Sequence, residues 1–260
     1  MRPLFVQKMK DRLIHGAAAG RAVRHDKKRS AAKQVLNRLV LLLALVISIP
    51  LAGLRADAPP TAREILGRVR LQQSEQQLDL QGQLRSEATV IPFRITQTGS
   101  VIRYTFANSP EVLQLRLGDN GSRLDLVTEN STKKFAASRL DDKIGGSSVT
   151  YGDLALKFLY WPSAEVLGAD TLRTRNCWKL RLSAPAKESS YASVLLWVDK
   201  ESGAIMRMEG YDAQGQLTKR FEVVSAQKIE GRWFLKQMRV EEMQPGTEKV
   251  QSRSYLEIKK

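Results

Sequence analysis

The spacing of apolar residues changes character along this chain, and each change marks a different kind of element. Leu39–Leu54 is an uncharged, apolar run of 16 residues. That is short of the ~20 needed to span a bilayer comfortably. A basic leader precedes it, Pro50 lies near its end, and Leu54-Arg55-Ala56 offers a small residue at the exit. These are the parts of an export signal. Residues 1–56 are therefore read as leader and signal, and residues 57–260 as one exported domain. A cleaved signal is preferred to a retained inner-membrane anchor, because a proline and a small-residue exit suit cleavage better than a stop-transfer helix. No cysteine follows the run, which excludes lipid attachment there.

After Pro59-Pro60, Thr61 and Glu64 have the spacing of a capping box. Ile65, Leu66 and Val69 then share one face, so the pattern predicts an amphipathic helix ending near Glu75 or Gln76 that lies against a sheet. From Leu78 the period falls to two. Leu78/Leu80/Leu84, Ile102/Tyr104/Phe106, Leu113/Leu115/Leu117 and Leu124/Leu126 alternate with polar residues, and Asp119-Asn120-Gly121 supplies a tight reversal. One wet and one dry face per strand indicates antiparallel strands over a single interior.

The polar segment Ser131–Ser148 interrupts this pattern and is read as a long functional or mobile loop. Thr150 and Asp153 repeat the capping spacing. Leu154–Trp161 is then apolar nearly all round, apart from Lys157, and predicts a helix covered on more than one side. It reads either as a buried core helix or as a lid seated in the mouth of a curved sheet. Alternation resumes after Pro162 through Trp178/Leu180/Leu182, Met206/Met208, Phe221/Val223, Met238/Val240 and Leu256/Ile258, while Ser193–Val198 is apolar on both faces and reads as a strand under a helix or in the sheet centre. About ten strands and two helices give an α+β class: one strongly curved antiparallel sheet with helices on its concave side.

The formal charge of +15 changes meaning once the leader is set apart. Of 42 Lys and Arg, 11 lie in residues 1–38 against two Asp, and Arg55 adds one more. The exported part keeps 30 basic against 25 acidic residues, spread along the chain, so nucleic acid is not an expected partner. Both histidines, His15 and His25, fall in the leader. The domain therefore lacks imidazole for a catalytic triad or for most zinc sites. Cys177, flanked by Asn176 and Trp178, reads as a small packed residue. No constellation of nucleophile, base or metal ligands stands out, so the expectation is a protein that is not an enzyme and needs no cofactor.

The stretches Tyr151–Pro162 (YGDLALKFLYWP), Asn176–Leu182 (NCWKLRL), and LWVDKESGAIMRMEGYD with KIEGRWFLKQMRVE inside Leu196–Glu241 resemble the LolA-like outer-membrane lipoprotein-sorting proteins. The closest likeness is to a larger, uncharacterised branch of that family, over roughly Thr61–Lys260. The resemblance implies an unclosed barrel of about eleven antiparallel strands around helices. It also implies a role as periplasmic chaperone for acyl chains of lipoproteins or lipids, with inner-membrane donor and outer-membrane acceptor proteins as partners. In the carrier an arginine of the barrel is bonded to the lid; Arg94, Arg103, Arg116, Arg123 and Arg181 are the strand arginines eligible here.

An apolar cavity needs no catalytic group to hold an acyl chain, since each buried methylene contributes about 0.8 kcal/mol. The candidate lining is Leu154, Phe158, Leu159 and Trp161 of the lid, with Tyr104, Phe106, Leu115, Trp178, Met206, Met208 and Met238 on strands. The competing class is a non-transporting domain of the cell envelope that senses lipid or binds protein. Cavity size separates the two, because a carrier needs a void of ~300–1,000 Å3.

Overall fold

Alternating sequence becomes a single antiparallel sheet, which a computed structural model describes for residues 58–74, 77–107, 109–185, 189–229 and 232–259. The leader, the apolar run and the expected exit at Ala56 lie outside these residues. The strands are β1 (Gln77–Arg85), β2 (Val90–Thr98), β3 (Val101–Phe106), β4 (Val112–Leu117), β5 (Ser122–Thr128) and β6 (Ser131–Lys134). They continue as β7 (Ser163–Leu172), β8 (Arg175–Ser183), β9 (Ser193–Asp199), β10 (Ile205–Tyr211), β11 (Leu217–Ile229), β12 (Arg232–Met243) and β13 (Val250–Lys259). Their order in the sheet is β6-β5-β4-β3-β2-β1-β13-β12-β11-β10-β9-β8-β7. Two meanders thus meet where β1 pairs β13, as at Leu84 opposite Leu256. β6 and β7 remain as free edges, and the curled sheet is unclosed.

Thirteen strands replace the expected ten or eleven. The additional ones are those with the weakest alternation. β2 carries Pro92, which lacks a ladder donor, so it scores poorly as a strand. β6 is four polar residues inside the segment read as loop. β7 is an edge strand of mostly small or polar residues, with a register shift between Val166 and Gly168.

Helix α1 (Ala62–Ser74) starts as expected. Thr61 N–H donates to Glu64 Oε2 at 2.8 Å and Glu64 N–H to Thr61 Oγ1 at 3.3 Å. Its Ile65, Leu66 and Val69 join Leu180, Leu182, Val194, Leu196 and Met208 in one buried cluster. A second cluster gathers β1–β5 with Val240 and Ile258, including Leu84, Phe93, Leu113 and Leu115. The face of the sheet that bears these two clusters is its inner face.

The opposite face is polar across β10–β12. Buried Glu222 is paired with Arg173, Arg207 and Arg239, and buried Glu241 with Arg220, Arg239 and Arg253. Only a small apolar group interrupts it: Leu172, Cys177 and Trp197, with Leu195 and Met206 packed against them. Cys177 is fully buried there, and burial pushes its thiol up. Both clusters and the whole sheet lie within Pro59–Lys260, a compact unit with its own core, the property of a domain that can fold alone.

Candidate functional site

The chain between the two meanders, residues 135–161, covers the inner face. It is neither the loop nor the continuous helix the sequence pattern predicts. Phe135, Ile144, Ser147, Ser148 and Val149 are all buried, so the polar segment is a plug. Ser147 and Ser148 carry their polarity inside because it is spent: Ser148 N–H donates to Ser254 Oγ at 2.9 Å, and its hydroxyl meets Ser252 Oγ at 2.9 Å. Gly145, at φ 53°, brings the plug backbone against β2, where a Cβ would lie 2.1 Å from Ile91 Cδ1.

The expected helix Leu154–Trp161 is broken. Thr150 and Asp153 form a capping box, but the helical turn they open, α2 (Tyr151–Leu154), is only four residues long. Leu156 then takes a left-handed conformation, φ 51°. A separate 3-10 turn, Lys157–Tyr160, follows it. For a leucine this conformation costs roughly 1–2 kcal/mol, and it divides the cover into two parts. Leu154 and Tyr151 pack on the cluster of β1–β5, whereas Phe158, Leu159 and Trp161 pack with α1 and β8–β10. Leu156 touches both.

Polar contacts hold the plug. Among the described residues, Phe135 N–H to Leu124 O is the last backbone–backbone bond to the sheet before β7 begins. Beyond it, side chains take over. Ser122 Oγ donates to Ala155 O at 2.5 Å, Thr89 Oγ1 to Gly145 O at 3.3 Å, and Arg70 Nη1 to Leu159 O at 2.9 Å. Two ion pairs add to these. Lys219 Nζ lies 2.9 Å from Asp153 Oδ2, both side chains over nine-tenths buried, and Lys143 Nζ lies 2.7 Å from Glu242 Oε2. Tyr191 OH donates to the other oxygen of Asp153 at 2.7 Å. Burial, helped by that carboxylate, raises the Tyr191 phenol. Burial also works against the charged form of Glu242, but bonds from Lys143 and Ser252 outweigh it and keep the carboxyl below its usual range. Lys219 and Glu242 stand directly opposite each other on β11 and β12.

None of the five candidate strand arginines is bonded to the cover. Arg94 binds Asp79, Arg103 binds Gln114, Arg116 and Arg123 share Asp125, and Arg181 binds Glu165. The cover is held by Arg70 of α1 and Lys219 of β11 instead. A motif search for arginine on strands overlooks both.

Two cavities remain under and beside the plug. One of about 20 Å3 is lined by Phe93, Tyr104, Phe106, Ile144, Leu154 and Leu256, among others. The other, about 130 Å3, opens beside Ile91, Phe106, Glu111, Ile144 and Tyr151. Burial pushes the Tyr104 phenol up. Of the eleven residues singled out from sequence, Tyr104, Phe106 and Leu154 line a cavity, and Leu115 and Met238 belong to the cluster behind it. Phe158, Leu159, Trp161, Trp178 and Met208 lie in the cluster of α1 and β8–β10. Met206 is on the other face. A bulge between Ile205 and Arg207 adds one residue to β10, which turns Met206 away from Met208. Ile91, Phe93, Ile144 and Val149 were not singled out. The first two alternate around Pro92, but the last two sit in a polar stretch with no period to reveal them.

An unclosed, curled antiparallel sheet is the fold this chain shares with solved LolA-like structures. An outer membrane lipoprotein-sorting protein domain, so described, from Vibrio parahaemolyticus matches with TM-score 0.59 at 14% identity, covering 76% of this chain and 90% of its own. A DUF1329 family protein from Desulfovibrio piger matches with TM-score 0.57 at 17% identity, covering 76% and 90%. A LolA superfamily protein from Nitrosomonas europaea matches with TM-score 0.55 at 16% identity, covering 78% and 93%. At the level of sequence, residues 127–260 match a family model described as an uncharacterised protein, and the chain belongs to that family. A search of curated protein sequences finds no match.

Proposed function

We propose that this protein is a periplasmic, non-enzymatic chaperone that takes an acyl chain of a lipid or lipoprotein onto the inner face of β1–β4 and β13, in the place its own plug occupies. One observation carries the reading. An apolar sheet face is covered by a segment that has no backbone ladder to it after Phe135 and leaves it under-filled. Cavities of about 20 and 130 Å3 are below the ~300 Å3 a ligand needs, so the plug has to move. Each methylene that replaces it contributes about 0.8 kcal/mol.

The two ion pairs make that movement tolerable. Lifting the plug takes Asp153 from Lys219 and Lys143 from Glu242. A buried charge left without a partner costs several kcal/mol. Lys219 and Glu242 face each other across adjacent strands and can pair once the plug has gone. The open barrel then holds no orphaned charge. Sorting toward the outer membrane requires a donor at the inner membrane and an acceptor at the outer one.

The plug is tested by locking it. Ser148 and Ser254 hydroxyls lie 3.2 Å apart, and a Ser148→Cys/Ser254→Cys variant can join plug to sheet. The reading expects that oxidised protein loses binding of a fluorescent fatty acid, and that reduction restores displacement of the probe by lipopeptide. Equal binding in both states refutes it. The small size of the cavities favours a second reading, an envelope domain that binds protein without carrying lipid. Wild-type protein that binds no apolar probe up to the probe's solubility limit supports that one.

A further inference from the structure

The block Lys228–Glu241 is longer than the barrel needs. Pairing of β11 with β10 stops at Glu222, and pairing of β12 with β13 begins at Gln237. From Ser225 to Ile229 and from Arg232 to Lys236 the two strands pair in the ladder only with each other. This two-stranded ribbon runs roughly 15 Å past the start of β10 at ~3.4 Å per residue, while β13 stays beside its base, where Gln227 Nε2 donates to Ile258 O at 3.3 Å. It leaves the sheet at the end that carries the β2–β3, β4–β5 and β9–β10 turns. The pocket beside Phe106 and Glu111 is at the other end.

Trp233 sits on this ribbon and is 71% exposed, more than any other large hydrophobic residue described. Ile229, Phe234 and Leu235 beside it are only half-buried. Lys228 is directly opposite Trp233, and Lys228, Lys236 and Lys259 at the end of β13 are all exposed. The sequence of the ribbon has Lys228, Arg232 and Lys236 against Glu230 alone. An exposed indole beside three incompletely buried apolar side chains marks an interaction surface.

We infer that the β11–β12 ribbon is a docking tip for an anionic bilayer surface. An indole has an apolar body and a polar edge, the combination that seats tryptophan at headgroup level. The surrounding lysines complement anionic headgroups. The tip is a narrow projection and not a groove, and its reach matches the ~5–10 Å over which an interfacial element sinks into a membrane. A protein partner would have to offer a pocket for it. A headgroup layer offers that depth everywhere.

The test uses residues 57–260 with extruded vesicles containing phosphatidylglycerol, and phosphatidylcholine vesicles as the neutral control. Wild-type protein is expected to sediment with the anionic vesicles and much less with neutral ones, and salt should weaken the binding. Trp233→Ala should lower vesicle affinity about tenfold or more, and Lys228→Glu with Lys236→Glu should do the same. Neither variant should change the thermal midpoint or the binding of the fluorescent fatty acid, which keeps this tip separate from the acyl site. Wild-type protein that stays in the supernatant overturns the inference and leaves the tip to a protein partner. So does a Trp233→Ala variant that binds as tightly as wild type, or binding indifferent to lipid charge and salt.

Discussion

The two halves of the sheet bury similar residues but are covered in different ways. Over β8–β10 the cover is a capped helix of 13 residues together with Phe158, Leu159 and Trp161, and Leu180, Leu182, Val194 and Leu196 beneath are wholly inaccessible. Over β1–β5 the cover is an irregular plug pinned by side chains. Leu80, Ile95, Tyr104, Leu154 and Leu256 there stay only partly buried. One half is a core in the ordinary sense. The other is a site closed by its own chain, and close packing is what tells them apart.

Truncating the tight half should have the largest effect. Phe158→Ala is expected to lose about 3–5 kcal/mol of stability, measured by denaturant unfolding, while its folded fraction keeps apolar-probe affinity. Lost affinity at near-normal stability would move the ligand seat to this half. Lys219→Met comes next, because it leaves the buried Asp153 carboxylate without its counter-charge, held by Tyr191 OH and Thr150 N–H. A loss of about 3 kcal/mol is expected, and a melt unchanged from wild type would remove the ion-pair latch.

Acid should reach the tight half through the β9–β10 turn. Burial opposes the charge on Asp199, yet bonds from Arg175 and Ser202 hold its carboxyl down at about 2, against an ordinary 3.8. A depressed carboxyl stabilises the fold above its ordinary value and ceases to do so as pH falls through the folded one. Roughly 2 kcal/mol should therefore be lost between about pH 4 and pH 2, and Asp199→Asn should flatten that part of the curve. The smallest effect belongs to the loose half. Leu154→Ala should cost only about 1 kcal/mol, because the side chain is half-buried beside an existing void. Its apolar-probe affinity should change more than its melt. The reverse would show the plug to be ordinary core.

Sequence reading reached the tight half more easily than the loose one, for a physical reason. Alternation reports burial on one face, as in Leu180 and Leu182 of β8, and a run apolar on both faces, as in β9, reports a covered strand. Both capping boxes, Thr61/Glu64 and Thr150/Asp153, were visible because they are local. What escaped depends on distant partners or on backbone detail. Ser148 is buried because Ser252 and Ser254 answer it from more than 100 residues away. A left-handed Leu156 leaves no mark in composition, so one apolar stretch looked like one helix. The bulge that turns Met206 outward defeats any argument from parity. Gln97, also buried, is held by Gly99 O and the end of α1, which no periodicity foretells.

The seam between β1 and β13 sets the order in which the molecule can be finished. Arg85 and Glu257, paired across it, are 172 residues apart along the chain. Each meander can form from neighbours in sequence, but the first has no second wall until the last strand arrives. Loop closure on that scale is slow, and the half that waits is the one whose apolar face is covered only by a pinned plug. A newly made chain therefore spends its longest unfinished interval with that face uncovered, and a companion that shields apolar surface would act on it then.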